Sequence, residues 1–138
     1  MPEISGLKGL RVLVVEDDND TRELLGLLLE SRGATAILAH NVAEGLEAVR
    51  KQRPDVIVAD IGMPEYNGYA FIAALRKAAQ SEIRSTPVIA LTAYSTPADR
   101  DTALISGFNE HLSKPFKPDR LIAAIGRLYG EHHIDSAA

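Results

Sequence analysis

Leu10-Arg11-Val12-Leu13-Val14-Val15-Glu16-Asp17-Asp18 is a short apolar, β-branched run that stops abruptly in three acids. Such a run reads as a strand buried on both faces of a parallel sheet, because a one-sided strand would alternate apolar and polar residues. Working outward, Asp20 and Glu23 stand at capping-box spacing, and Leu24, Leu25, Leu28 and Leu29 recur at helical spacing until Gly33. A second strand is expected at 35–39. Asn41 with Glu44 opens a second helix, with Val42, Leu46 and Val49 on one face and Pro54 closing it.

The same alternation continues to the end of the chain. Val56-Ile57-Val58-Ala59 is a third buried strand ending in Asp60, followed by a loop with Met63-Pro64 and Gly68 and by helical Phe71, Ile72 and Leu75. A polar connection at 80–86 leads to Val88-Ile89-Ala90-Leu91 and Thr92, then to a helix opening at Thr96-Pro97 and ending at Gly107. A short fifth strand near 110–113 runs into Lys114-Pro115, and Leu121, Ile122, Ile125, Leu128 and Tyr129 mark a last amphipathic helix. Residues 131–138 read as a flexible tail. Five strands alternating with five helices imply an α/β domain whose parallel sheet is covered on both faces, since right-handed crossovers pack each helix back onto the sheet.

Composition narrows the function classes. The 138 residues fit one compact domain, and 46% hydrophobic residues suffice for its core. A formal net charge of -4 gives no basic surface for nucleic acid, so direct DNA binding is not expected. Cysteine is absent, which removes disulfides and thiolate metal sites. No apolar stretch has the length of a signal or a membrane span, and a cytoplasmic protein with no membrane contact is the expectation.

In open α/β sheets, ligands bind outside the carboxyl ends of the strands, where strand order reverses. This chain places Glu16, Asp17 and Asp18 after the first strand, Asp60 at the end of the third, Thr92 at the end of the fourth and Lys114 after the fifth. Singly, each has an ordinary explanation: a solvated turn before a helix, a local cap, a β-branched strand former, an exposed lysine. Together they form a pattern. Two carboxylates about 4 Å apart repel by about 4 kcal/mol at an effective dielectric near 20, so convergence of Glu16, Asp17 and Asp60 calls for a cation. All-oxygen donors without His or Cys point to Mg2+, with Mn2+ as an alternative. His40, His111, His132 and His133 show no ligand spacing. A carboxylate, a hard cation, a hydroxyl and a lysine are the parts that move a phosphoryl group onto oxygen.

On Val14-Val15-Glu16-Asp17-Asp18, Asp60-Ile61-Gly62-Met63-Pro64 with Gly68, Leu91-Thr92-Ala93 and Lys114-Pro115-Phe116, the chain resembles the receiver domains of two-component response regulators. The resemblance covers about 10–129, and the domain is drawn at 8–130. It implies a flavodoxin-like doubly wound (βα)5 sandwich with strand order 2-1-3-4-5. By the resemblance, Asp60 is the phosphoacceptor, Asp17 a direct Mg2+ ligand, Glu16 a water-mediated one and the Gly62 carbonyl another, while Asp18 is peripheral. Thr92 would bond the phosphoryl group, Lys114 would pair with Asp60 and then with phosphoryl oxygens, and Pro115, often preceded by a cis peptide in the family, would fix the lysine loop. Gly62 and Tyr94 occupy positions at which the family varies phosphoryl lifetime. Where the family usually has Tyr or Phe, three residues before the lysine, this chain has His111, read either as a half-exposed ring on an edge strand or as a small side chain that turns inward on activation.

The implied function is a signalling phosphoacceptor rather than an enzyme in the ordinary sense. It would take its phosphoryl group from a histidine kinase or a histidine phosphotransfer protein, assist its own phosphorylation and dephosphorylation, and switch binding of an unknown downstream protein, as a monomer or weak homodimer. The polar connection before Pro87 is similar to receivers attached to or partnered with hybrid kinases, and either a stand-alone regulator or a piece of a longer protein is expected. Three rivals share features with this reading. A flavodoxin-type FMN binder needs a phosphate cradle where this chain has three acids. A haloacid-dehalogenase-type phosphatase carries a second acid where this chain has Gly62. A phosphate-independent binding module would have no need of every acid, Thr92 and Lys114.

Overall fold

The computed structural model describes residues 6–61, 68–93 and 96–137, the last six of them by backbone alone. Its elements run β1 (Arg11–Val15), α1 (Asn19–Ser31), β2 (Thr35–Ala39), α2 (Val42–Gln52), β3 (Val56–Asp60), α3 (Gly68–Arg76), α4 (Ser81–Arg84), β4 (Val88–Thr92), α5 (Pro97–Ser106), β5 (Glu110–Ser113) and α6 (Pro118–Ala137). All strand pairings are parallel, in the order β2-β1-β3-β4-β5. The chain leaves β1 toward β2 on one side and returns to β3 on the other, so the reversal of strand order falls between the carboxyl ends of β1 and β3.

Strand parity divides the core into two layers. Leu13, Val15, Ile57, Ala59, Val88 and Ala90 face Phe71, Ile72 and Leu75 of α3 and Ala103 of α5. Val12, Val14, Val56, Val58, Ile89 and Leu91 face Leu25 and Leu29 of α1 and Leu121, Ile125 and Leu128 of α6. Every residue of β3 and β4 is buried, which accounts for their unbroken apolar sequence.

Helix termini follow local chemistry. Asn41 caps α2 by accepting from the Glu44 amide, and Thr96 caps α5 in a reciprocal pair with Asp99. Gly107 ends α5 at φ 119°, a left-handed conformation suited to glycine. The structure corrects the start of α1: Asp18, not Asp20, is the cap, its Oδ2 accepting from the Thr21 amide at 2.9 Å and the Thr21 hydroxyl at 2.7 Å. Asp18 has extended backbone dihedrals as the chain leaves β1, whereas Asp20 already lies in the first turn, where the helix dipole favours a carboxylate.

Two further expectations are corrected. The connection at 80–86 contains a helix, α4, so the described residues hold six helices rather than five. Its single turn buries Ile83 and is tied back by the Thr86 hydroxyl on the Glu82 carbonyl. The tail read at 131–138 instead continues α6 to Ala137, there being no proline to interrupt it and an Arg127 to Glu131 ion pair one turn earlier to extend it. No helix among the described residues is long and apolar enough to cross a membrane.

Candidate functional site

The site is assembled by backbone bonds at the carboxyl edge of the sheet. The Glu16 amide donates to the Ala39 carbonyl at 3.0 Å, Ile61 to Leu91 at 2.9 Å, and Lys114 to Thr92 at 2.7 Å, so each loop starts from a strand end that is itself tied to a neighbour. Lys114 follows β5, three strands away from β1, at about 4.8 Å per strand. Its Nζ nevertheless lies 3.1 Å from Glu16 Oε1 and 3.3 Å from Asp60 Oδ2. The loop after β5 therefore turns back over the strand ends. The Lys114-Pro115 peptide bond is cis.

One carboxylate oxygen each from Glu16, Asp17 and Asp60 can be chosen so that all three lie within 4.8 Å of one another. Glu16 and Asp60 are buried, at 1% and 7% exposure, while Asp17 is exposed. The cluster thus has a dry side and a wet side. Burial pushes the Glu16 carboxyl up from 4.5 to about 7; the Asp18 amide opposes this, Asp60 adds to it, and Lys114 opposes it again. Burial also disfavours the Lys114 ammonium, yet Glu16 and Asp60 outweigh it and leave its pKa raised. Asp18 stands apart, its carboxyl held below the usual range by the Thr21 hydroxyl and amide that it caps.

The donor chemistry fits a hard divalent cation. Three carboxylates gather without His or Cys, and Asp17 is open to solvent, as suits a cation such as Mg2+ that retains waters. Lys114 neutralises part of the charge but cannot satisfy three carboxylates by itself. Thr92, buried at the end of β4, belongs to the same edge. Gly62 and Tyr94 lie outside the described residues.

The structure also corrects the picture of His111 as half-exposed. It is 8% exposed, and its Nε2 has no hydrogen-bond partner among the described residues. His111 pairs with Ala90 and so shares a sheet face with Thr92, two residues further along the neighbouring strand. His111 lines a surface cavity together with Pro97, Arg100 and Phe116.

Arg22 was not singled out by spacing. Its Nη1 donates to the Glu16 carbonyl at 2.8 Å and approaches the Asp17 carbonyl at 3.5 Å, while Nη2 donates to Asn19 Oδ1. An arginine one turn into a helix whose cap follows an acidic loop is the only sequence signal for it, and such residues are commonly solvated.

Comparison with known proteins identifies the fold's relatives. An uncharacterised 14.6 kDa protein of Leptolyngbya boryana is 42% identical over 119 residues, covering 86% of this chain and 89% of that protein. The response regulator MprA of Mycobacterium ulcerans is 35% identical over 119 residues, covering 86% of this chain and 50% of its own length. The chain thus spans about half the length of that regulator. Among solved structures, the receiver domain of the sensor histidine kinase PA1611 from Pseudomonas aeruginosa PAO1, with a magnesium ion coordinated in its active site cleft, superposes with a TM-score of 0.79 at 33% identity, covering 88% of this chain and 98% of that one. The pattern of the response regulator receiver domain matches residues 12–126, from β1 into α6 and across every strand end that carries the acidic cluster, Thr92 and Lys114. The chain belongs to the response regulator receiver domain family.

Proposed function

We propose that this receiver accepts a phosphoryl group on Asp60 from a histidine kinase or histidine phosphotransfer protein, in a reaction that depends on Mg2+, and thereby switches binding of a downstream protein. The observation that carries the reading is the gathering of Glu16, Asp17 and Asp60 within 4.8 Å, with Lys114 Nζ 3.3 Å from Asp60 Oδ2. A structural acidic cluster would need no lysine brought across from the far strand, whereas a site for a transferring phosphoryl group needs fixed positive charge beside its nucleophile.

An Asp60 carboxylate oxygen forms the new O–P bond while the donor's P–N bond breaks, the electron pair leaving with the imidazole nitrogen. Lys114 exchanges its contact with Asp60 for one with a phosphoryl oxygen and keeps Glu16 as its second anchor. The Thr92 hydroxyl, at the end of β4, would donate to another oxygen. Asp17 and Asp60, with Glu16 through water and the Gly62 carbonyl, would hold the cation, whose contribution is to neutralise charge on the transferring group. Mn2+ has the same donor preference and would serve in its place. Location in the cytoplasm and a monomeric or weakly dimeric state complete the proposal.

The test is labelling by acetyl phosphate. Asp60→Asn should take up no phosphoryl group and melt cooperatively, because the amide is a poor nucleophile of nearly the same shape. Full labelling of that variant at another residue would refute the assignment. Beryllofluoride with Mg2+ should perturb the amide signals of β4, α5 and β5; unchanged spectra would leave a phosphate-independent binding module as the better description.

A further inference from the structure

Asp17 differs from its two partners in the acidic cluster. Glu16 and Asp60 are buried and contact Lys114, whereas the Asp17 carboxylate is exposed and makes no hydrogen bond among the described residues. What aims it at the cluster is therefore its backbone. The peptide planes on the two sides of the Asp17 Cα end in the Glu16 and Asp17 carbonyls, and one guanidinium faces both, at 2.8 Å and 3.5 Å. Because peptide units are planar, fixing the two that flank a residue fixes its φ and ψ and so the direction of its Cβ. Arg22 is in turn held from α1, where its other nitrogen donates to Asn19 Oδ1.

We propose that Arg22 is a positioning residue for the cation site: it clamps the turn between β1 and α1 so that the Asp17 carboxylate is presented to a divalent cation shared with Asp60. This rests on the reading of the acidic cluster as a cation site. The guanidinium has a second, opposing effect, since its positive charge repels a cation nearby. The two effects predict opposite signs when the charge is removed. If charge dominates, Arg22→Gln binds Mg2+ more tightly; if positioning dominates, it binds more weakly.

Calorimetric titration of the full chain with Mg2+ separates these outcomes, alongside melting curves in EDTA. Loss of a group that orients a metal ligand commonly weakens affinity by about 10-fold or more, and Arg22→Gln is expected to show a loss of that order with a cooperative melt. Arg22→Lys keeps the repelling charge but loses the fork that spans the turn, and should bind Mg2+ at least as weakly as Arg22→Gln. Affinity in Arg22→Gln equal to or tighter than that of the wild type overturns the proposal. Should Arg22→Gln fail to fold, Arg22→Lys decides, and wild-type affinity in it overturns the proposal equally. A wild-type protein that takes up no Mg2+ overturns the cation-site reading itself, whereas wild-type binding with undiminished binding by the variants overturns the role of Arg22 alone.

Discussion

Without a divalent cation, this protein should lose stability as pH rises from about 5 to 8, and Glu16 should be the cause. The Glu16 carboxyl is displaced from 4.5 to about 7 by burial, with Asp60 adding to the effect. An acid whose pKa is raised by folding binds more protons in the folded than in the unfolded state between those two values, so the slope of unfolding free energy against pH is negative there. The displacement corresponds to about 3 kcal/mol at pH 8, or roughly 10 °C in melting temperature for a domain of this size. Lys114, whose pKa is raised from 10.5, contributes stability that is present throughout this window and is lost only at more alkaline pH. Glu16→Gln should match the wild type near pH 5, exceed it at pH 8, and show the flatter profile. Saturating Mg2+ should flatten the wild-type slope, because the cation binds the ionised carboxylates; at a hundredfold excess over Kd it adds about 2.7 kcal/mol, close to the loss from Glu16. The assay is differential scanning fluorimetry across pH in EDTA and in Mg2+, read as the difference between wild type and Glu16→Gln so that histidines common to both cancel. Parallel profiles for the two proteins in EDTA would refute the reasoning.

Two other substitutions test how the scaffold serves the site. Gly68→Ala would place a Cβ 2.8 Å from the Asp60 carbonyl oxygen and 2.9 Å from Ile61 Cα, and since both are backbone atoms α3 must shift. A loss of about 1 to 3 kcal/mol is expected in urea unfolding, with slower labelling of Asp60 by acetyl phosphate, and wild-type values of both would show that the approach is less tight than it stands. Arg76 donates to the carbonyls of Gly107, Arg84 and Thr86 and to Asn109 Oδ1, fastening the end of α5, the α4 turn and the start of β5 to α3. Arg76→Met should cost about 3 kcal/mol in the same experiment, because burial hinders water from replacing the lost donors; a cost under about 1 kcal/mol would count against the clamp.

The parts of the fold that could be read from sequence are those in which one segment carries its own signal. Val56-Ile57-Val58-Ala59 and Val88-Ile89-Ala90-Leu91 have no polar residue to place on a wet face, and both are fully buried strands. Asn41, Thr96 and Gly107 announce helix ends by side-chain type and spacing, and each stands where expected. Asp18 and Asp20 are chemically alike, and only the backbone path out of β1 decides between them. The α4 turn was hidden because its sequence is polar and its reason, Ile83, is a single residue. Burial of His111 could not be read from the four residues of β5, whose other three members are only half-buried. The convergence of Glu16, Asp17 and Asp60 was legible from the β/α alternation together with the rule that sites form at strand carboxyl ends, whereas the contacts of Arg22 and Arg76 were not, since a helical arginine is by default a solvated one.

The contact between Lys114 and Glu16 joins residues 98 positions apart in the chain. A polypeptide emerging from the ribosome presents its first acids long before the lysine exists, and contacts of such separation form late because loop closure must precede them. The charge balance of the site is therefore completed only when the last strand docks on β4. A chain cut anywhere before Lys114 would carry the nucleophile and the acids without their cationic counterpart, so fragments from incomplete synthesis or proteolysis should compete poorly with the whole domain for a phosphoryl donor.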